Sequence, residues 1–332
     1  MTSTIVIGQD VHFSQYYRSP LIVNPALTGL LPGNHRAVIN YREQWSGVAP
    51  FTTYGLSYDA AILKKKLKNK YLGVGLLAFK DEAGDAKLST TQLSISVSSV
   101  ITLNNKHDLS AGLQGGFAQK SISGSSLQWG AQYEENTGYS SSVSSGEAPA
   151  FENYSFGDFS AGLAWSFSNN AKSSSNSISA NAGVALHHLN KPEQGFDTEE
   201  LHMQMTAHAQ LKVGIKNTGL GIIPSVLYMN QGPLKEINAG GLLRYRLKEE
   251  SKYTGLLQET AIYLGGFYRM GDAFIPTFIF EISNYSLGIS YDLNTSSFKE
   301  ASNGKGGFEI SLQYINPNPY KNPDRNKRRG LM

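Results

Sequence analysis

The sequence predicts an all-β fold, a transmembrane antiparallel β-barrel of about fourteen strands, on three observations. First, between about residue 38 and residue 316 the chain alternates apolar and polar side chains, segment after segment. His202 to Ile215 shows it best: Met203, Met205, Ala207, Ala209, Leu211, Val213 and Ile215 take one parity, and His202, Gln204, Thr206, His208, Gln210 and Lys212 the other. A period of two puts the sets on opposite faces of one extended strand, so a closed sheet is apolar outside and wet inside. Second, most segments are longer than the roughly 5–6 residues usual in a soluble sandwich, the competing architecture. Third, short Asn/Ser turns alternate with long loops along the chain, as in outer-membrane barrels.

The elements follow in order. Met1–Gly8, with its short apolar run Ile5-Val6-Ile7, reads as a possible remnant of a signal peptide, although a basic start and a full apolar core are missing. Residues 9–37 form an N-terminal segment too apolar for an idle linker: Phe13, Tyr16, Tyr17, Leu21, Ile22 and Val23 need burial. It is expected to pack inside the barrel or against its periplasmic mouth as a plug, gate or docking element, bent at Pro20 and Pro25. The barrel itself covers 38–316, with strands expected near 38–46, 51–62, 70–80, 87–101, 107–119, 154–168, 177–188, 200–216, 219–229, 235–247, 260–270, 273–282, 284–293 and 306–316. A basic tail, 317–332, carries Lys321, Arg325, Lys327, Arg328 and Arg329.

Turns 103–106, 217–218 and 283–284 are short, whereas connections 120–153, 189–199 and 294–305 are long; 248–259 breaks the rule. An even strand count with this parity puts both termini in the periplasm. Two features disturb the pattern. Pro224 and Pro276 fall inside strands, where each is expected to mark a bulge or a strand break. Residues 259–271 are apolar on both parities, so the lumen there is expected to be packed rather than wet.

Composition narrows the function. No stretch of 18 or more apolar residues exists, which excludes a helical membrane protein. Charged residues are only 17%, cysteine is absent, and the net charge of +3 is too weak to argue for nucleic acid. No nucleophile elbow, phosphate loop or dinucleotide fingerprint appears, so neither an enzyme nor a cofactor is expected. By phase His187, His202 and His208 point into the lumen, but their spacing matches no metal signature and no carboxylate is evidently placed with them.

Three ordered motifs carry a family resemblance: Gln9-Asp10-Val11-His12-Phe13-Ser14-Gln15-Tyr16, then Asn24-Pro25-Ala26-Leu27-Thr28-Gly29, then Asn40-Tyr41-Arg42-Glu43-Gln44-Trp45. They resemble the N-terminal signature of the PorP/SprF family of Bacteroidota outer-membrane proteins. Gly307 to Tyr314 is similar to a final barrel strand. The resemblance implies an outer-membrane component of the type IX secretion system. It implies binding of the type B C-terminal domain of a secreted, gliding-motility-type surface adhesin, and support for its export and cell-surface anchoring. Other secretion components and outer-membrane lipid are the further implied partners. Members often end in a Cys-Pro-Arg-Phe-like tail, whereas this chain ends Asn326-Lys327-Arg328-Arg329-Gly330-Leu331-Met332, so any tail function is in doubt. A porin-like channel for small solutes is the alternative.

Three groups of residues are candidate sites. Glu236, Arg244, Arg246, Arg269, Glu281 and Glu309 share the inward parity and read as ion pairs filling the lumen, a selectivity lining or a peptide-binding surface. Phe13, Tyr16, Tyr17, Asn24 and Pro25 mark the N-terminal segment. Trp129, Tyr133, Tyr139 and Phe151 punctuate the longest loop and are the candidate contacts to an exported partner.

Overall fold

The computed structural model describes residues 10–45, 50–64, 66–67, 69–84, 87–122, 129–134, 138–144, 146, 153–169, 177–193, 200–248, 259–296 and 304–317. Sixteen strands follow one another: β1 (Gly33–Gln44), β2 (Phe51–Ile62), β3 (Lys70–Ala83), β4 (Leu88–Asn104), β5 (His107–Ser121), two-residue β6 (Tyr133–Glu134) and β7 (Gly138–Tyr139), β8 (Tyr154–Ser168), β9 (Ile178–His187), β10 (Gln204–Gly214), β11 (Leu220–Gln231), β12 (Leu234–Lys248), β13 (Thr260–Arg269), β14 (Ala273–Ile282), β15 (Tyr285–Asn294) and β16 (Lys305–Pro317). β6 and β7 pair with each other in the longest loop. The other fourteen form one closed antiparallel barrel in which β1 pairs with both β2 and β16.

Alternation sets the two faces. In β5, Leu109, Leu113 and Phe117 are exposed on the outside while Ser110, Gln114 and Ala118 are buried inside. In β4, Leu93, Ile95 and Val97 point out and Ser94, Ser96 and Ser98 point in. Met203, Met205 and Leu211 are exposed on the outside, whereas Thr206 and His208 are buried. The wall's strands pair with one another in a ring that has no edge, and the outer face presents apolar side chains, which suits hydrocarbon as solvent.

β1 begins at Gly33, earlier than the alternation suggests, because the added residues 33–37 offer only Ala37 as an apolar side chain, beside the inward Arg36. The prolines behave differently from expectation, producing neither a bulge nor a strand end. Pro224 pairs in register with Gly241, and Pro276 with Gly266. On their other sides the bridges lapse, between Gln210↔Ser225 and Val213↔Ile222 and between Phe274↔Leu293 and Thr277↔Ser290, and resume in unchanged register. A proline removes one donor, and only the ladder that needed it opens. Since Gly241 also pairs with Gly266, the row Pro224–Gly241–Gly266–Pro276 crosses four strands.

The barrel has two rims. One, the terminal rim, carries the start of β1, the end of β16 and the tight turns at 105–106 and 283–284. The other, the loop rim, carries the long connections after β5, β9 and β15. Residues 10–32 lie inside the wall. They run from the loop rim, where Asp10 meets His188 and Gln231 at the ends of β9 and β11, down to Gly33 at the terminal rim. The ends of the wall therefore share a rim, while Asp10 sits at the opposite one. Pro20 and Pro25 each begin a short helical turn, Pro20–Val23 and Pro25–Leu27, as the fixed φ of proline favours. Against the β11–β14 panel Tyr16 and Val23 join Ile223, Leu227, Leu242, Tyr263, Phe267, Ile275 and Ile279 in an apolar cluster. This is where both parities of 259–271 are apolar: the inward Ala261, Tyr263 and Phe267 are buried in this cluster.

Candidate functional site

At the loop rim the segment is held by charge. Arg42 and Arg269 each place a guanidinium nitrogen 3.0 Å from the Asp292 carboxylate. Ser14 Oγ donates to Asp292 at 2.8 Å and accepts from Arg269 at 2.6 Å. The backbone N–H groups of Ser14 and Gln15 donate to the two oxygens of Glu309, at 2.6 and 3.0 Å. Arg42 also donates to the His12 carbonyl, and the His12 ring lies 3.4 Å from Glu236. Each of these charges faces an opposite one, which offsets the cost of burying it.

His188 closes the rim. It leaves β9 with φ +57° and turns its ring between two carboxylates, Asp158 at 2.9 Å and Asp10. Burial opposes its charge, but Asp10 and Asp158 overcome this and push it up to about 10. Burial would raise Asp10, yet the His188 charge beside it and the bond from Gln231 hold its carboxyl below the ordinary range.

Midway down, Asn24 fixes the segment to the wall. Its amide donates to the carbonyls of Leu163 (3.1 Å) and Val184 (3.2 Å), lies 3.2 Å from His208 Nε2, and its oxygen accepts from Ala26 N–H at 2.8 Å. Ser110 Oγ donates to the Ala26 carbonyl and Ser98 Oγ to that of Thr28, both at 2.6 Å. The wall makes room by omitting side chains. A Cβ on Gly112 would stand 2.4 Å from the Pro25 carbonyl, one on Gly162 2.0 Å from Asn24 Oδ1, and one on Gly73 2.2 Å from the Thr28 oxygen. Gly73, Ser98, Gly112, Gly162 and Ala185 pair in one row across five neighbouring strands, so the segment lies in a belt of small inward residues.

Near the terminal rim Arg36 pairs with Asp59 at 2.8 Å, and Asp59 also accepts the Gly29 N–H at 2.8 Å. Arg244 bonds Glu281 at 3.2 Å and Glu259 at 2.5 Å. Below the segment opens a cavity of about 630 Å³, lined by Tyr16, Arg18, Val23, Lys212 and Glu281 among others.

The expected inward charges divide between the two rims. Glu236, Arg269 and Glu309 join the loop-rim network; Arg244 and Glu281 pair near the terminal rim, and Arg246 is half-buried. Phe13, Tyr16, Asn24 and Pro25 are buried in the lumen, and Tyr17 packs on Phe267 with ring centroids 5.1 Å apart. Tyr133 and Tyr139 lie on the β6–β7 hairpin, Tyr133 being 68% exposed, and Trp129 precedes it. Phe151 and the basic tail fall outside the described residues. His202 does not reach the lumen: it precedes β10, is exposed, and lies against Gly232 in the β11–β12 turn. His187 and His208 do face inward. Carboxylates do accompany a histidine, but at His188, whose turned backbone put it outside the strand phase. Among the described residues no group of three or more His, Asp or Glu side chains is arranged to hold a metal.

Sequence reasoning missed Asp10, Ser14, Gln15, Arg18, Arg42, Asp59 and Asp292 as contacts. The inward run of Ser94, Ser96 and Ser98 with Gly73, Gly112 and Gly162 was the available signal: small residues on one parity leave space for an inner occupant.

A closed wall with an apolar exterior and a strap of its own chain filling the interior defines a transmembrane β-barrel of the outer-membrane type. Residues 5–314 match the family described as type IX secretion system membrane protein PorP/SprF, and the chain belongs to that family. Of the three N-terminal motifs that suggest it, residues 10–16 and 24–29 thread the lumen and residues 40–44 lie on β1, which receives them. No curated protein matches the chain. Among solved structures it is similar to the Pseudomonas putida toluene transporter TodX (10% identity, 89% of this chain and 92% of that one, TM-score 0.47). It is also similar to BamA from Haemophilus ducreyi lacking POTRA domains 1–3 (10%, 85% and 70%, 0.42) and to the β domain of the Bordetella autotransporter BrkA (14%, 86% and 99%, 0.40).

Proposed function

We propose that the protein is a non-catalytic, plugged outer-membrane barrel that binds the type B C-terminal domain of a secreted, gliding-type surface adhesin and supports its export and anchoring. The observation that carries the reading is the filled lumen: residues 10–32 bond to strands around the whole wall, which favours a rim rather than a bore as the working surface. The terminal rim faces the periplasm and the loop rim faces outward. There the exposed Tyr133 and Tyr139, with Trp129 and Phe151 from the same loop, are the anchors for a folded domain, since buried aromatics dominate interface energetics. The loop-rim network around Asp292 holds the segment as a plug against which the partner docks.

The test is capture of native partners in mild detergent, identified by mass spectrometry. The wild type should bring down an adhesin-type cargo with other secretion components, and Tyr133→Ser/Tyr139→Ser should lose the adhesin while keeping the fold. Equal capture by both proteins would refute the loop assignment. A porin-like channel is the competing reading, which the occupied lumen disfavours.

A further inference from the structure

Arg18 is an anomaly. It is only 4% exposed, yet its guanidinium bonds only neutral groups: Ser311 Oγ at 2.5 Å, Ser286 Oγ at 3.1 Å and the Ser286 carbonyl at 2.6 Å. Among the described residues no carboxylate lies within ion-pair distance of it. Glu281 bonds Arg244 and, at 2.7 Å, accepts from Tyr263; Glu309 accepts the Ser14 and Gln15 amides. The other buried arginines, Arg36, Arg42, Arg244 and Arg269, all have an acidic partner. A buried guanidinium without a counter-charge is costly, and five donors are too many for the acceptors present.

Arg18 lines the cavity of about 630 Å³, which reaches the terminal rim at Asn104–Lys106, Leu31 and Lys64. Lys212 lines the same space and has no hydrogen bond or ion pair among the described residues. The carboxylates near it, Glu281 and Glu259, are bonded to Arg244. Much of the lining is apolar, with Val23, Leu27, Ile223, Leu242 and Ile279, beside polar groups that include Gln210, Ser286 and Asp108. The volume lies in the range of small-ligand sites, and cations on an apolar floor match a molecule with one anionic head and an apolar body.

We propose that this cavity is a binding site for an apolar-bodied monocarboxylate, whose head is held by Arg18. A fatty acid and the free carboxyl terminus of an extended apolar peptide share this chemistry. The inference is independent of adhesin capture, which uses the other rim.

The test is calorimetric titration of the full-length protein in non-ionic detergent. The probes are decanoate against decanol, and acetyl-Leu-Leu-Ala-Leu against its C-terminal amide. One of the two acids should bind while its uncharged counterpart does not, and the acid that binds identifies the source. Arg18→Gln should weaken that acid at least about tenfold, the loss of a charge-assisted bond, and Lys212→Gln should weaken it less. Without ligand, Arg18→Gln should melt at or above the wild-type temperature, because it removes an unpaired buried charge. A lower unliganded melting temperature would make Arg18 a structural group and overturn the proposal. So would binding of decanol or the amide as tightly as the acids, or binding of neither acid.

Discussion

Placing valine at position 112 separates a filled lumen from an empty one by the sign of its effect. Gly112 faces inward on β5, and a Cβ there meets backbone: the Pro25 carbonyl carbon and oxygen at 2.4 Å and Ala26 N at 2.5 Å. If the segment stays, overpacking costs about 1–3 kcal/mol. If it retreats, it gives up the bonds from Ser110 to Ala26, from Ser98 to Thr28 and from Asn24 to Leu163 and Val184. At about 1 kcal/mol net apiece, retreat costs roughly 4 kcal/mol. With nothing in front of Gly112, valine would instead stabilise by up to about 1 kcal/mol, through strand preference and lost glycine entropy. The cheaper route sets the cost, so Gly112→Val should destabilise by about 1–3 kcal/mol in urea unfolding from lipid vesicles, read by tryptophan fluorescence. Gly130→Ala, whose Cβ would meet nothing, is the control and should stay within about 0.5 kcal/mol of wild type. An unchanged or raised stability for Gly112→Val would refute the reasoning.

Asp59→Asn should cost about 3 kcal/mol, because it strands the buried Arg36 charge and weakens the acceptor for Gly29. The double variant Arg36→Met/Asp59→Leu should cost much less in the same unfolding assay. The clasp at the loop rim should be pH-dependent. His188 is raised in the folded state to about 10, so its contribution is complete below its unfolded value near 6.5 and fades as pH rises through about 10. Asp10 is held low, so its contribution is present above its unfolded value and is lost at acid pH. Protection of residues 10–15 against hydrogen exchange, relative to the intrinsic rate at each pH, should accordingly be greatest between these limits, and His188→Gln should abolish its alkaline decline; a decline that survives the substitution would assign it elsewhere. Ala209→Lys, on the outer parity of β10, should lower bilayer stability by about 2–4 kcal/mol if the site is near the midplane. Harmless replacement there would contradict lipid as the outer solvent.

Much of the wall was legible because a period of two is set by local backbone geometry and by one solvent on each side. β2, β5, β8 and β14 lie close to where their alternation ends. The five residues gained at the start of β1 were hidden because Arg36 faces a partner, Asp59, that lies far along the chain. The prolines misled for a related reason: whether a missing donor matters depends on which neighbour needed it. The lumen was legible in kind but not in pairing. Glu236, Arg269 and Glu309 share the inward parity in sequence, yet their common link, Asp292 with Ser14, exists only because residues 10–32 double back through the barrel. His188 escaped because a positive φ takes it out of strand phase.

The central claim is that the chain fills its own barrel, and electrical conductance tests it most directly. Intact protein inserted in planar bilayers should give no stable pore. A stable open pore from the intact protein would contradict the account.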